Sequence, residues 1–261
     1  MKIQVLGCFG GDLKSRFPAF LIDEKVLLDA GTIGGALSLE NQLKIQSILI
    51  SHHHIDHLIG LPFFVETIYN KNHSPIRLFG LSEVLRCLRT HLLNDVLWPD
   101  FTRLPNSEHP TVACCPVEDG KYYEAAPGIR FIPIMTCHTG PACGYLIAKK
   151  HSALVYTGDT GPCDTFWESL ARITEENPNI QIKGLLIECS FPNHLESFAI
   201  KTGHLTPALL ENELAKFNHK NVQIMVFHMK PQYIGEIEME IRKISDYSIE
   251  LMKPDQEYFF D

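Results

Sequence analysis

Residues 50–57 read Ile-Ser-His-His-His-Ile-Asp-His and leave the apolar run Ser47–Ser51. Imidazole nitrogen and carboxylate oxygen bind zinc at about 2.0–2.2 Å. In a chain leaving a strand, residues two apart point to the same side, so His52 and His54 can close on one ion. Asp56 and His57 begin the next turn and can reach a second ion beside it. The three consecutive histidines raise a question of register. Starting from His53 would put Ile55 in a ligand position, whereas His52 and His54 give His-x-His-x-Asp-His, with His53 left to an outer or solvent-facing role. The bland alternative is a histidine-rich surface loop. It would have to hold these polar groups between an apolar strand and an apolar helix with nothing to satisfy them.

Three further segments each follow an apolar strand candidate: Thr136-Cys137-His138, Thr157-Gly158-Asp159-Thr160 and Val226-Phe227-His228. In this order behind the first motif, the set resembles the signature of the metallo-β-lactamase superfamily. That resemblance implies a four-layer αβ/βα sandwich, two mixed sheets with helices on the outer faces and two metals at the sheet edges. It implies that His52, His54 and His138 hold one metal, that Asp56, His57 and His228 hold the other, and that Asp159 bridges them. Zinc suits this donor set, and manganese or iron fits it as well. The functional alternative for the cysteines is a thiolate ligand at Cys137, beside His138. Asp29, in Leu28-Asp29-Ala30-Gly31, is expected to brace the metal loop from behind.

A narrower resemblance rests on Glu188-Cys189-Ser190-Phe191, Gly203-His204-Leu205-Thr206-Pro207, His228-Met229-Lys230-Pro231 and Asn94-Asp95-Val96-Leu97-Trp98-Pro99-Asp100. These are similar to the class II cyclic-nucleotide phosphodiesterases, and with the metal motifs they span Gly7 to Pro231. The implied reaction is hydrolysis of a 3′,5′-cyclic nucleotide, cAMP or cGMP, to the nucleoside monophosphate. Two divalent ions would lower the pKa of a shared water toward ~7, and the resulting hydroxide would attack phosphorus. The leaving alkoxide then needs a proton. His204, just ahead of a helix N-terminus that also favours an anion, is the candidate donor. Glu188 would accept its other ring N–H, and Asp56 joins these two as a catalytic group. Lys230 could meet the phosphate, and Trp98 and Phe101 could stack on a base. The bland readings are a histidine at a helix start, a strand-end charge, a solvated lysine and aromatics packed under a lid.

Transfer-RNA 3′-processing endonucleases resemble the same metal set and Glu/His pair. They carry an RNA-binding arm between the third and fourth metal motifs, where this chain has only residues 139–158. A formal net charge of -8, with no Lys/Arg stripe, also disfavours a polynucleotide. Thioester or lactone hydrolysis, or β-lactamase activity, would leave the Gly-His-Leu-Thr loop without a task. A non-enzymatic interaction protein would not need the complete ligand set. The expected partner is a small phosphodiester, with no membrane, and relatives of this fold are often homodimers.

Elements must bring these residues together. Strands are expected at Lys2–Leu6, Ala19–Ile22, Lys25–Asp29, Ser47–Ser51, Ile129–Pro133, Gly144–Ala148, Ala153–Tyr156, Gly184–Glu188 and Gln223–Phe227. Helices are expected at Leu58–Tyr69, Glu83–Val96 with Ser82 as N-cap, Thr165–Thr174, Pro207–Phe217 behind the Thr206 cap, and Gly235–Lys243. The stretch Trp98–Val117 reads as loop or lid. Composition is that of a globular enzyme, 45% hydrophobic and 21% charged, and residues 1–261 read as one domain. No signal peptide is expected at MKIQVLGCFGG, and no apolar run reaches the roughly 20 residues of a membrane helix. Eight scattered cysteines without Cys-x-x-Cys read as reduced thiols of a cytoplasmic protein. Asp12 and Asn94 receive no role.

Overall fold

The computed structural model describes residues 1–11, 14–72, 74–219 and 221–261, so Asp12 lies outside the described residues. The first half supplies strands β1 (Lys2–Gly7), β2 (Ala19–Ile22), β3 (Val26–Leu28), β4 (Ser47–Leu49), β5 (Ile76–Leu81) and β6 (Val112–Val117). The second half supplies β7 (Tyr123–Ala126), β8 (Ile129–Met135), β9 (Cys143–Lys149), β10 (Ser152–Tyr156), β11 (Gln181–Glu188), β12 (Gln223–Phe227), β13 (Ile249–Leu251) and β14 (Glu257–Phe259). They form two seven-stranded sheets, ordered β14-β1-β2-β3-β4-β5-β6 and β13-β12-β11-β10-β9-β8-β7. Strand β14 therefore crosses from the end of the chain to close the edge of the first sheet. Each sheet is mixed: β3 to β6 are parallel in one and β10 to β13 in the other, with antiparallel strands beside them. The arrangement is the metallo-β-lactamase sandwich.

Strands covered on both faces need apolar residues throughout. Every residue of β4 is buried, as is all of β12 after Gln223. Between the sheets, Phe20 meets Tyr156 and Phe227 at ring-centroid distances of 5.7 and 5.4 Å. Helices α1 (Leu39–Gln42), α2 (Leu61–Ile68) and α3 (Ser82–His91) accompany the first sheet, and α3 packs on β5 and β6. Helices α4 (Asp164–Glu176), α5 (Glu196–Thr202), α6 (Pro207–Leu214) and α7 (Ile234–Ile241) accompany the second. Buried residues of α4, α6 and α7 share one apolar cluster with β11 and β12. Among the described residues no helix is long and apolar enough to cross a membrane.

Local chemistry corrects several boundaries. Ser82 is the first residue of α3, not its cap, which is Leu81. The helix stops at His91 rather than Val96, because Asn94 folds a turn of its own. Its Oδ1 accepts the Val96 and Leu97 amides at 3.0 and 2.8 Å. Trp98–Val117 is not all loop: it contains β6, and Phe101 is buried edge-on to Tyr69 at 5.5 Å. Phe101 is therefore core and cannot stack on a ligand.

Candidate metal centre

The carboxyl ends of the parallel strands from both sheets meet at one edge, where open α/β sheets place their ligands. Asp29 follows β3, the histidine loop follows β4, Asp159 follows β10, Glu188 ends β11 and His228 follows β12. His138 follows β8. Asp29 and His228 both sit in the left-handed region, with φ of 55° and 66°. Such a backbone in non-glycine residues persists only where the surroundings over-determine it. Here hydrogen bonds fix both side chains.

Four side chains, His52, His54, His138 and Asp159, each offer an atom within 4.8 Å of the others, and Asp56, His57 and His228 do likewise. Asp159 joins the two groups. Its Oδ1 lies 3.3 Å from His57 Nε2, and its Oδ2 lies 3.3 Å from His228 Nε2 and 3.7 Å from His52 Nε2. Asp56 Oδ2 stands 3.2 Å from His228 Nε2, and His138 Nε2 stands 3.1 Å from His54 Nδ1. Every residue expected from the sequence at this centre is brought together. His53 is not among the convergent groups.

The outward nitrogens are fixed by what the opposite nitrogens do. Asp29, fully buried, accepts the Ser51 amide at 2.7 Å through Oδ1. Its Oδ2 accepts Ser51 Oγ at 2.8 Å, His57 Nδ1 at 2.7 Å and Tyr156 OH at 2.5 Å. The Ser51 hydroxyl, having donated to Asp29, accepts from His52 Nδ1 at 3.0 Å. His138 Nδ1 donates to the Gly203 carbonyl at 2.7 Å. A side chain at Gly203, itself at φ +70°, would meet His138 Nδ1 at 2.9 Å. His52 Nε2, His57 Nε2 and Asp159 Oδ1 are left buried without hydrogen-bond partners. Buried polar atoms are normally satisfied. Orphaned lone pairs facing one another fit a cation, and outer carboxylates that orient ligating imidazoles are the usual companions of a metal.

Protonation agrees with that fit. Burial, with His57 beside it, pulls His52 well below the usual imidazole range. Burial and His138 pull His54 to about 4. His138 and His228 are also lowered, chiefly by burial. Burial opposes the charge on Asp56, but the His228 hydrogen bond and His57 outweigh it and hold the carboxyl far down. Asp159 is likewise held down against burial by His228 and His57. Neutral imidazoles and ionised carboxylates are the forms that bind a cation. His57 goes the other way: burial lowers it, but Asp159 and Asp29 raise it further. A bound cation would displace that proton.

A second buried carboxylate lies on the opposite side. Glu188 Oε1 accepts His204 Nδ1 at 2.7 Å and the Thr160 amide at 3.0 Å. Its Oε2 accepts Ser190 Oγ at 2.7 Å. Ser190 Oγ in turn lies 2.9 Å from His228 Nδ1 and 3.2 Å from His204 Nδ1. Burial lowers the His204 pKa, but the charge and hydrogen bond of Glu188 outweigh it, so the net direction is up. His204 also stands near Asp159 and His228, its Nδ1 4.0 Å from Asp159 Oδ2. That nitrogen is already taken by Glu188. Lys230 is half-buried; a Cβ at Gly10 would lie 2.8 Å from its Nζ and 2.7 Å from His228 Cε1. Trp98 is half-buried, edge-on to Phe63 at 5.1 Å, with its Nε1 unpartnered.

The cysteines require a correction. Cys137 and Cys163 form a disulfide across 26 residues, so these two are neither reduced thiols nor available as a metal ligand. No Cys-x-x-Cys spacing announces it, because the contact is made through space. The Cys137 loop meets the start of α4, with Gly161 N donating to Cys137 O at 2.8 Å. The other six are free. Sequence reasoning also missed Ser51, Ser190, Tyr156 and the Gly203 carbonyl. The available signal was a hydroxyl inside each motif, directly before His52 and two residues after Glu188.

A model of the β-lactamase superfamily domain matches residues 25–229. A probable 3′,5′-cyclic-nucleotide phosphodiesterase of Yersinia pestis is 27% identical over 89% of this chain and 79% of its own length. A ribonuclease Z of Metallosphaera sedula is 32% identical over 59% of this chain and half of its own length. The crystal structure of unliganded yeast PDE1 superposes with a TM-score of 0.81 at 20% identity, covering 98% of both chains. With its matched domain, its sandwich and a His/Asp centre that could hold metal, the chain belongs to the β-lactamase superfamily, among its metal-dependent hydrolases.

Proposed function

We propose that this chain is a two-metal phosphodiesterase that opens the ring of a 3′,5′-cyclic nucleotide, cAMP or cGMP. His52, His54 and His138 would hold one ion, Asp56, His57 and His228 the other, with Asp159 between them. Zinc is the first choice for both, and manganese or iron the alternatives. Bound there, such ions supply an activated water at neutral pH and neutralise phosphate oxygens. The protein's own residues do the rest. His204, charged through its Glu188 partner, delivers its Nε2 proton to the departing 3′-oxygen, leaving the 5′-monophosphate. Lys230 holds a non-bridging phosphate oxygen, and Trp98 lies against the base. Residues 1–261 act as one catalytic domain, in the cytoplasm.

One observation carries this reading. The 2.7 Å His204–Glu188 pair stands beside the convergent groups, with a raised pKa and no place among the orphaned ligand atoms. The similarity to a phosphodiesterase over most of both chains supports the same class. The ribonuclease Z similarity favours a second reading, cleavage of precursor transfer RNA. The formal net charge of -8 speaks against it. Assays of the zinc-loaded protein on cAMP, cGMP, bis(p-nitrophenyl) phosphate, precursor transfer RNA and a thioester separate the readings. Turnover of cyclic nucleotides to 5′-monophosphates is expected, and hydrolysis of the thioester alone would discard the proposal.

A further inference from the structure

Ser190 takes no part in the proposed chemistry, yet its hydroxyl touches more of the site than any proposed catalytic group requires. It donates to Glu188 Oε2 at 2.7 Å, so its oxygen is free to accept the Nδ1–H of His228 at 2.9 Å. His204 Nδ1, 3.2 Å from the same oxygen, donates to the other Glu188 oxygen at 2.7 Å. Ser190 is fully buried. One hydroxyl therefore links a candidate ligand to the acid–base pair through a single carboxylate. We infer that Ser190 is a positioning residue that makes the Asp56–His57–His228 metal position and the Glu188–His204 pair one cooperative unit.

The physical reason is directional. A serine hydroxyl has a single proton. While Glu188 takes that proton, Ser190 must accept from His228, which fixes the His228 tautomer with its Nε2 lone pair toward the ion. Without Glu188 the hydroxyl can turn to the His228 carbonyl, 3.3 Å away, or donate to His228 Nδ1, which places the imidazole proton on the ligating nitrogen. Glu188 thus controls metal affinity through the Ser190 hydroxyl, with no hydrogen bond of its own to His228. Removing such outer partners typically costs 10–100-fold in metal affinity. Ser51 is built alike, donating to Asp29 and accepting from His52, but it has no contact with Glu188 or His204.

The inference rests on His228 being a metal ligand, and its test needs no substrate. Zinc affinity is measured on the full chain by competition with a chromophoric chelator. Glu188→Ala should weaken one of two zinc sites by about tenfold or more. Ser190→Ala should do the same, and the double variant should be no weaker than Ser190→Ala alone. Ser51→Ala should also weaken zinc binding, but its effect should multiply with that of Glu188→Ala. In nitrogen-15 histidine spectra at saturating zinc, the His228 Nδ1–H should resist exchange with solvent in the wild type and exchange faster in either Glu188→Ala or Ser190→Ala. Unchanged zinc affinity in Glu188→Ala, or independent effects of Glu188→Ala and Ser190→Ala, would overturn the coupling. Should Ser190→Ala fail to fold, the Glu188→Ala affinity and spectrum still decide. A wild-type protein that takes up no zinc defeats the metal reading itself, which that first titration reveals separately.

Discussion

The two halves of the sandwich solve the same local problem with the same parts. In the first, Asp29 binds His57 directly and reaches His52 through the Ser51 hydroxyl. In the second, Glu188 binds His204 directly and reaches His228 through the Ser190 hydroxyl. Each carboxylate is fully buried at a strand end and each serine donates to it. The difference lies in where the directly bound histidine points. His57 stands in a convergent ligand group, whereas His204 gives its ring proton to Glu188 and keeps its remaining nitrogen for another task. On the proposed function, one half only holds metal; the other holds it and can also move a proton. Asp29 is correspondingly the more crowded acceptor, taking Tyr156 OH from the opposite sheet as well.

The sharpest test of the comparison is the residue that belongs to neither arm. Asp159→Asn removes the carboxylate that faces His52, His57 and His228 together. The expected result is loss of zinc from both positions and a fall in turnover larger than the 10–100-fold that follows loss of an outer partner. Metal analysis beside the activity assay checks it. Retention of both metals would mean that the halves do not share a bridging ligand.

Next in size is the histidine on which the halves differ. His204→Ala should lower kcat by about 10²–10⁴-fold, the usual worth of a general acid, with zinc content unchanged. Its pH profile gives the sign. Because Glu188 raises the His204 pKa above 6.5 against burial, the donating imidazolium survives above that value, and kcat falls as pH climbs through it. Glu188→Gln removes the stronger of the two carboxylates that oppose burial and leaves only Asp159, so the alkaline limb of kcat should move to lower pH. A limb that stays in place would show that another group supplies the proton.

The third test sets the two carboxylates side by side. Asp29→Asn should weaken zinc binding about 10–100-fold while leaving the alkaline limb where it is. It should also cost stability, since hydrogen bonds to a charged group contribute about 1.5–3 kcal/mol each and Asp29 receives several. Thermal melts with and without zinc separate the two effects. If Asn at position 29 shifted the pH limb as Gln at 188 does, the functional division between halves would fail.

This division was half legible in the amino-acid order. The convergent residues could be read because the first of each motif, His52, His138, Asp159 and His228, follows an apolar strand within three residues, and a strand end is a fixed place. The Asp29 brace was legible for the same reason. The serines were not, because a hydroxyl's role depends on which carboxylate lies within 3 Å across the fold, which spacing along the chain does not encode. The Cys137–Cys163 bond was hidden likewise. Strands β5 and β7 escaped because the first runs straight into α3 and the second, Tyr-Glu-Ala-Ala, is mostly residues depleted in strands. For Phe101 the packing reading holds: it is buried edge-on to Tyr69 although its Pro-rich neighbours suggest a loop.

The smallest effects concern substrate and extend the comparison outward. Lys230 belongs to the second half and stands against His228, so it should serve the phosphate, whatever that phosphate carries. Lys230→Ala should raise KM about tenfold, or about 1.4 kcal/mol, with kcat little changed. Trp98 belongs to the first half and lies among apolar side chains left open, with Val96 89% and Leu97 63% exposed on the turn before it. With Phe63 already against its ring, only part of it is free, so Trp98→Ala should cost about 1 kcal/mol, the low end for stacking on a base. The two variants separate on a ribose 3′,5′-cyclic phosphate without a base. Lys230→Ala should weaken this substrate as much as cAMP, and Trp98→Ala should leave it untouched. Equal losses from Trp98→Ala on both would mean that the indole acts through its packing on Phe63, and that the first half does not read the base.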